Sequence, residues 1–262
     1  MTIHKKPVVL SISGHDPTGG AGIQADIETL NSLGCHPCTL ISCLTVQDSS
    51  TVHRLTPIPA DSLIEQAITL FDDLPISVIK IGLTGSVACV KAIAHILRLH
   101  PRIPVVFDPV LASGDGTALA DENLVTVIRQ QLLPLTTILT PNGPEALQLS
   151  GANAGASIES IGLALLQDKA TYVLLTGGHE NESTISNRLF YQSALKSTFN
   201  WRRQVGEFHG TGCTLASAIA GYIAQGLPVI EAIEHAQAYT DLAIKNALQL
   251  GKGQLFPLRQ RP

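Results

Sequence analysis

The chain has 262 residues, of which 45% are hydrophobic and 15% charged, and this composition predicts one domain, residues 1–262, with a large buried core. The formal net charge is -4 at pH 7, and no stripe of Lys and Arg with interleaved aromatic residues is present, so nucleic acid is not an expected partner. No apolar run reaches the length of a membrane span, and the odd number of scattered cysteines predicts reduced thiols in a cytoplasmic protein.

Short apolar runs rich in β-branched residues alternate with segments of helical period. Strands are predicted at Val8–Ser13, Thr39–Cys43, Val78–Gly82, Val105–Phe107, Thr137–Thr140 and Tyr172–Thr176. Helices are predicted at Gly20–Leu33, Asp61–Phe71, Ser86–Leu99 and Glu122–Leu132. This alternation predicts an α/β fold in which a mostly parallel sheet is covered by helices on both faces.

The order of elements changes after Thr176. A two-stranded hairpin is predicted at Asn187–Gln192 and Ser197–Gln204, followed by two long helices, Thr211–Gln225 and Val229–Leu250. In parallel α/β folds, ligands bind at the carboxyl ends of the strands. The residues that follow each predicted strand are therefore the candidates for a site.

A glycine-rich segment, Ser13–Gly22, lies between the first strand and the first helix. It is not a P-loop, because Gly20 and Ala21 stand where Lys and Ser or Thr would be needed. Its glycines would let backbone N–H groups approach a ligand, although tight packing explains such a turn equally well. Asp26, on an otherwise apolar helix, favours the interpretation that a polar group faces a pocket.

A second glycine-rich segment, Gly206–Cys213, comes directly before a helix of small residues. N–H groups at a helix N-terminus form an anion site, and glycines allow a phosphate to come close. Cys213 falls in the first helical turn, where the helix dipole favours a thiolate. The alternative is a small buried cysteine beside a glycine turn.

Asn142 and Glu145 are three residues apart where a strand turns into a helix. This spacing fits a capping box, in which the two side chains satisfy the helix N-terminus. It also fits a Mg²⁺ site, for which Asp108 at the end of another strand is a further candidate. Cys35 and Cys38 form a C-x-x-C, but no second pair lies at zinc-motif spacing, so we interpret them as incidental apolar residues.

Taken in order, these segments resemble the ribokinase-like superfamily, and within it the hydroxymethylpyrimidine/phosphomethylpyrimidine kinases of thiamine biosynthesis. The most specific segments are Gly14–Asp26, which reads GHDPTGGAGIQAD, and His209–Thr214, which reads HGTGCT. Shorter matches fall in family order at Lys80–Gly82, Asp108–Val110, Thr140–Glu145 and Gly177–His179. The resemblance covers essentially the whole chain and implies a ribokinase-like three-layer fold.

The resemblance also implies a role for each site residue and the cofactors ATP and Mg²⁺. It implies that the pyrimidine is bound by Gly14, Asp26, Gln47, Leu83 and Val110. It implies that the nucleotide is bordered by Asn142, Thr176, Gly178 and Thr211, and that Mg²⁺ is reached by Asp108 and Glu145. Catalysis is assigned to Gly210, Thr211, Gly212 and Cys213, with Cys213 as the base. The family commonly forms homodimers, so a homodimer is expected.

Four positions depart from the family pattern. Leu83 stands in place of a methionine, and His15 in place of a serine. The segment Val110–Gly114 is short and lacks the lysine that the family carries, and Thr176 replaces a second lysine. Neither lysine role is carried over to this chain.

Two other functions remain open at this point. A pyridoxal or pyridoxine kinase acts on a similar hydroxymethyl group of a nitrogen heterocycle. A non-catalytic pyrimidine-binding sensor is suggested by the missing lysines, although such a sensor would not need both an anion site and metal ligands.

Overall fold

A computed structural model describes residues 6–167, 170–178 and 183–260. In this part of the chain, nine strands form one sheet. They are β1 (Val8–His15), β2 (His36–Gln47), β3 (Val52–Pro57), β4 (Ile76–Ile81), β5 (Val105–Phe107), β6 (Ile138–Leu139), β7 (Tyr172–Leu175), β8 (Thr184–Tyr191) and β9 (Ala194–Arg202). Their order across the sheet is β3-β2-β1-β4-β5-β6-β7-β8-β9.

The six central strands, from β2 to β7 in that order, are parallel, and the strands at both edges are antiparallel. β3 pairs with β2 at one edge, and the hairpin of β8 and β9 closes the other. The parallel strands are rich in apolar residues because helices cover both of their faces. Their carboxyl ends therefore meet along a single edge of the sheet.

Helices connect and cover the strands. They are α1 (Gly22–Ser32), α2 (Ala60–Asp73), α3 (Val87–Leu99), α4 (Glu122–Gln131), α5 (Gly143–Ser150), α6 (Ile158–Gln167), α7 (Thr211–Ala224) and α8 (Val229–Lys245). Ser86 and Asp121 accept hydrogen bonds from backbone N–H groups at the starts of α3 and α4, and so act as N-caps. No described helix has both the length and the apolar character needed to cross a membrane.

Two hydrophobic cores lie on opposite faces of the sheet. One packs α2 to α6 against it through residues such as Leu63, Ile93, Leu124, Leu149 and Leu165. The other packs α1, α7 and α8 through residues such as Leu30, Ile219 and Ala236. The prediction of a three-layer α/β fold with a mostly parallel sheet is confirmed.

Some elements differ from the prediction. β3 was not predicted, because its residues are largely exposed and do not alternate between apolar and polar. α6 was also missed, and α8 ends at Lys245 instead of continuing to Leu250. The strands of the hairpin begin at Thr184 and Ala194, three residues earlier than predicted.

Candidate active site

A cavity of about 660 Å³ opens at the carboxyl ends of the parallel strands. Its wall contains every residue that the sequence proposed for the site except Asp26. These residues are Gly14, Gln47, Leu83, Asp108, Val110, Asn142, Glu145, Thr176, Gly178, Gly210, Thr211, Gly212 and Cys213. The cavity therefore brings together segments that are nearly 200 positions apart in the sequence, from Gly14 to Cys213.

Asp26 lies below the cavity in a buried ion pair. The Lys80 Nζ atom is 2.8 Å from Asp26 Oδ1 and 3.0 Å from Oδ2, and both side chains are fully buried. The Ser11 hydroxyl donates to Asp26 Oδ2 at 2.5 Å, and the Ser217 hydroxyl donates to Oδ1 at 2.7 Å. The resemblance implies that Asp26 faces the pyrimidine. In the structure, however, Asp26 is buried below the cavity, and both of its carboxylate oxygens already accept hydrogen bonds from the protein.

The charge on Lys80 is stabilised by the acidic groups around it. Burial alone would lower its pKa, but Asp26, and to a smaller degree Cys213 and Asp108, raise the pKa above its ordinary value. Lys80 therefore stays protonated at all physiological pH values. Its ammonium group places a permanent positive charge beneath the floor of the cavity.

Asp16 organises the first glycine-rich segment. Its carboxylate accepts hydrogen bonds from the N–H groups of Thr18 and Ala21, both at 2.8 Å. Burial would raise the Asp16 pKa, but hydrogen bonds from His209 and Thr18 outweigh it and leave the pKa below the ordinary value. Gly22 has a φ of 58°, and a Cβ there would overlap the Gly14 oxygen, so only glycine fits this turn.

The two glycine-rich segments contact each other directly. The His209 Nε2 atom is 2.8 Å from Asp16 Oδ2. A Cβ on Gly20 would overlap the His209 ring, and a Cβ on Gly210 would overlap the Gly20 oxygen. Gly210 also has a φ of 73°. Gly20 and Gly210 are therefore required because the two segments approach each other closely. This requirement is separate from any that a bound ligand imposes.

The second segment leads into the N-terminus of α7. Gly210 is the N-cap, and Thr211, Gly212 and Cys213 form the first turn, with N–H groups that have no partner within the helix. The Thr214 hydroxyl donates to the Gly210 oxygen at 2.8 Å and holds this turn in place. The positive end of the helix dipole thus faces the cavity, as an anion site requires.

The surroundings of Cys213 disfavour its thiolate form. Its side chain is buried, and burial raises its pKa to about 12, despite the opposing charge of Lys80. Asp108 and Asp26 raise it further. The sequence suggested a lowered pKa from the helix dipole, but the effect of desolvation is larger.

Asp108 and Glu145 are two buried carboxyl groups in the cavity wall. Burial raises the pKa of Asp108 to about 6, against the favourable charge of Lys80. Burial and the charge of Asp108 raise the pKa of Glu145 to about 8. A cation bound near these two groups would favour the ionised form of both.

The two carboxyl groups differ in their hydrogen bonds. Glu145 completes a capping box with Asn142: its Oε2 atom accepts from Asn142 N–H at 3.0 Å, and Asn142 Oδ1 accepts from Glu145 N–H at 2.9 Å. The Asp108 Oδ2 atom is buried and has no hydrogen-bond partner among the described residues. Asp108 therefore offers the oxygen that a hard cation would take, whereas the Glu145 oxygens already accept hydrogen bonds from the N–H groups of Asn142 and Leu111. No group of three or more His, Cys, Asp or Glu side chains suited to a metal is found in the described chain.

The opposite end of the cavity is built from α5, α8 and the β8–β9 hairpin. Gly177 N–H donates to Asn187 Oδ1 at 3.0 Å, and Gln237 Oε1 accepts from Asn187 at 2.9 Å and from Trp201 Nε1 at 3.1 Å. This network fixes the turn at Gly177 and Gly178. The next residue of the family pattern, His179, lies outside the described residues.

Sequence reasoning missed several residues around the cavity. Arg202 and Arg203, at the end of β9, line it and supply cations to a wall that lacks the two family lysines. Arg259 is buried and contacts both glycine-rich segments. Arg202, Arg203 and Arg259 do not belong to any sequence motif. The sequence alone therefore gave no reason to place them at the site.

A model of the phosphomethylpyrimidine kinase family matches residues 16–258. The chain belongs to this family. A hydroxymethylpyrimidine/phosphomethylpyrimidine kinase of Rhizobium meliloti is 36% identical over 252 residues, which cover 94% of both chains. The thiamine biosynthesis bifunctional protein ThiED of Geobacter sulfurreducens is 39% identical over 94% of this chain, and this chain spans about half of its length.

Solved kinase structures share the fold. An ADP complex of Bacillus subtilis pyridoxal kinase has a TM-score of 0.89 at 27% identity, over 98% of this chain and 100% of that chain. A phosphomethylpyrimidine kinase of Clostridium difficile has a TM-score of 0.79 at 29% identity, over 91% of this chain and 100% of that chain. The family's fold, a ribokinase-like α/β fold, thus matches the sheet and helices described above.

Breaking the buried ion pair between Lys80 and Asp26 should destabilise the protein much more than breaking an ion pair near the surface. Lys80→Met should lower the free energy of unfolding by about 3–5 kcal/mol, because Asp26 would be left buried without its counter-charge. Lys245→Met, which removes a half-exposed i,i+4 pair with Asp241, is the control and should cost at most about 1 kcal/mol. Urea denaturation measures both. If Lys80→Met costs no more than the control, the pair does not hold the fold.

The two raised carboxyl pKa values predict how stability depends on pH. Unfolded carboxyl groups titrate near pH 4, but Asp108 and Glu145 titrate at about 6 and about 8 when folded. Between pH 4 and pH 8 these two groups bind more protons in the folded chain than in the unfolded chain, so their contribution to stability falls as pH rises. In EDTA, Glu145→Gln should make the fall in Tm from pH 5 to pH 8 less steep, whereas the exposed control Glu159→Gln should not. An unchanged slope would contradict this electrostatic account.

Proposed function

We propose that this chain transfers the γ-phosphate of ATP to 4-amino-5-hydroxymethyl-2-methylpyrimidine, and then phosphorylates the monophosphate to the diphosphate, in thiamine biosynthesis. The observation that carries this proposal is the N-terminus of α7, whose first N–H groups open into the same cavity as the proposed pyrimidine residues. Membership of the phosphomethylpyrimidine kinase family supports it. Relatives that are named hydroxymethylpyrimidine/phosphomethylpyrimidine kinases match along nearly the whole chain.

The proposed pyrimidine end of the cavity is partly apolar, with Leu83 and Val110 in its wall. A Cβ on Gly14 would lie 3.0 Å from the Cys43 sulfur and 3.1 Å from Leu83 Cδ2, so a larger residue at position 14 would press against Leu83. The Gln47 side chain donates to the Thr45 hydroxyl at 2.8 Å, and its amide oxygen remains to accept from an amino group. We propose that Gly14, Gln47, Leu83 and Val110 hold the ring, and that Asp26 acts from below by fixing Lys80.

Phosphoryl transfer depends mainly on positioning and on neutralising charge, because its transition state is loose. We propose that the N–H groups of Gly210 to Cys213 receive the transferring phosphate. A thiol with a pKa of about 12 is protonated at neutral pH, so Cys213 cannot take the hydroxyl proton in the state described here. Cys213 can act as the base only in a substrate complex that lowers its pKa, and we assign it a smaller part of the rate enhancement.

ATP and Mg²⁺ are the cofactors that we propose. Bound Mg²⁺ neutralises charge on the phosphates. Asp108 would hold it through the buried Oδ2 atom that lacks a partner among the described residues. A cation there would lower the pKa of Glu145 from about 8, and Glu145 would then add negative charge from the capping box. Asn142, Thr176, Gly178 and Thr211 would border the nucleotide, with Arg202 and Arg203 nearby as cations.

Pyridoxal is the second candidate substrate, because the fold of Bacillus subtilis pyridoxal kinase is very similar to this one. Its identity to this chain is 27%, below the 36% and 39% of the relatives whose names include the pyrimidine kinase or thiamine biosynthesis. We therefore propose the pyrimidine, and not pyridoxal, as the substrate. A pyrimidine-binding sensor is the least favoured alternative, because the anion site is intact.

The experiment that tests the proposal measures ATP consumption with Mg²⁺ on hydroxymethylpyrimidine, its monophosphate and pyridoxal, side by side, with products resolved by mass. We expect turnover of both pyrimidines, with kcat/KM above that for pyridoxal, because the family match and the Gln47 amide favour an aminopyrimidine. Turnover of pyridoxal alone would overturn the substrate assignment. Binding without turnover of any substrate would favour the sensor.

Replacing Cys213 tests its share in catalysis. Cys213→Ala should lower kcat by roughly 10- to 100-fold and leave the KM of the pyrimidine within about twofold, because the backbone N–H groups of the anion site remain. Ala216→Gly, one turn further along α7, is a control for the loss of side-chain packing in the helix. Near-normal turnover of Cys213→Ala would remove the thiol from the mechanism.

We also propose that residues 1–262 act as one kinase domain, in the cytoplasm, as a homodimer. Leu44 and Val46 point to the same side of β2 and are 44% and 47% exposed, which is unusual for neighbouring apolar residues of a strand. Light scattering should give twice the mass of the chain, and Leu44→Thr with Val46→Thr should shift the protein to a monomer. A monomeric wild-type protein would contradict the dimer.

A further inference from the structure

Arg259 is a buried arginine that the proposed reaction does not use. Its side chain is 2% exposed, and its guanidinium group makes hydrogen bonds to two parts of the chain that are far apart in sequence, residues 20–28 and residues 209–214. Nε donates to the Thr214 hydroxyl at 2.9 Å, and Nη1 donates to Glu28 at 3.1 Å. Nη2 donates to the backbone oxygen of Gly20, and to that of His209 at 3.4 Å.

These acceptors surround the start of α7. The oxygens of Gly20 and His209 lie where the two glycine-rich segments touch, and a Cβ on Gly210 would lie 3.0 Å from Arg259 Nη2. Thr214 in turn donates to the Gly210 oxygen. One planar, rigid guanidinium group therefore fixes both sides of the turn that presents the anion-binding N–H groups.

The segment that carries Arg259 is itself attached to the second glycine-rich segment. Leu255 N–H donates to the Glu207 oxygen at 2.8 Å, and His209 N–H donates to the Leu255 oxygen at 2.8 Å. The Tyr239 hydroxyl, on α8, donates to the Arg259 oxygen. The backbone around Arg259 is thus held at two points, so its side chain has a fixed direction of approach.

We propose that Arg259 is a positioning residue for phosphoryl transfer: it sets the geometry of the anion site at Gly210 to Cys213 by clamping Gly20 and His209 together. This inference rests on the proposed function. The family model matches residues 16–258, and Arg259 is the next residue. A lysine would not replace it, because an ammonium group is a point charge and cannot reach several acceptors in one plane.

The test compares Arg259→Ala and Arg259→Lys with wild type and with Lys252→Ala, an exposed basic residue of the same segment. Arg259→Ala should lower kcat by roughly 10- to 100-fold, because small misplacement of a site costs that much, while the KM of the pyrimidine changes less than about twofold. Arg259→Lys should recover only part of this loss, and Lys252→Ala should match wild type. Added guanidinium ion should restore part of the activity of Arg259→Ala.

A second readout separates this proposal from the proposed function. Trp201 is the one tryptophan of the chain and lines the cavity, so its fluorescence can report nucleotide binding without turnover. Arg259→Ala should weaken binding of ATP by at least about tenfold and leave binding of adenosine unchanged, because only the phosphates reach the anion site. If wild type binds ATP but phosphorylates none of the substrates, the proposed function fails, and this comparison still tests Arg259.

Several outcomes would overturn the inference. Arg259→Ala with wild-type kcat and wild-type ATP affinity would do so, as would an equal loss of affinity for ATP and adenosine. If Arg259→Ala does not fold, Arg259→Lys and Tyr239→Phe replace it, since Tyr239→Phe keeps the guanidinium and frees the backbone that directs it. Normal kcat and normal ATP affinity in both of these variants would also overturn it.

Discussion

The buried ion pair between Lys80 and Asp26 is the interaction on which the site depends. With the hydroxyls of Ser11 and Ser217 it joins β1, α1, β4 and α7, which are the elements whose ends form the floor of the cavity. Taking two charges out of water is costly, and their attraction compensates only when the geometry is good and the remaining hydrogen bonds are made. Here both oxygens of the Asp26 carboxylate accept hydrogen bonds, and these bonds fix how the four elements pack against one another.

This ion pair also determines the electrostatics of the cavity. The ammonium group of Lys80 opposes the rise in the pKa values of Asp108 and Cys213. Even so, burial prevails at both residues, so at neutral pH the free site holds a protonated thiol at Cys213, a mostly protonated Glu145 and an Asp108 that is ionised but easily protonated. A site of this kind gains most from ligands that bring their own positive charge, such as a nucleotide with its divalent cation.

The sequence was most informative where a residue type is required by local geometry. The central strands, the three layers and both glycine-rich segments could be predicted, because a buried parallel strand requires an apolar run and a tight turn requires glycine. Asp26 was assigned to the pocket because a carboxylate on an apolar helix suggests a ligand, but its partner, Lys80, comes from a strand 54 positions later. Such pairing depends on how α1 packs relative to β4 in the folded protein, and no local sequence pattern predicts that packing.

Two further differences have the same origin. The Cys213 pKa was expected to be low because the helix dipole can be inferred from sequence, whereas the depth of burial, which dominates, cannot. β3 was missed because an exposed edge strand has no apolar alternation. Glu145 was correctly recognised as a possible capping-box residue, because that motif is defined by two residues three positions apart.

The packing of Leu255 and Arg259 against the glycine-rich segments has a consequence for biosynthesis. Leu255 pairs with Glu207 and His209, and Arg259 closes the contact with Gly20, a residue that is translated more than 200 positions earlier. The sheet can form while the chain is still emerging from the ribosome, because all nine of its described strands precede these residues. If Arg259 positions the turn at Gly210 as proposed, the turn reaches its final shape only after Arg259 has emerged, so a nascent chain that lacks this residue would bind nucleotide more weakly than the finished protein.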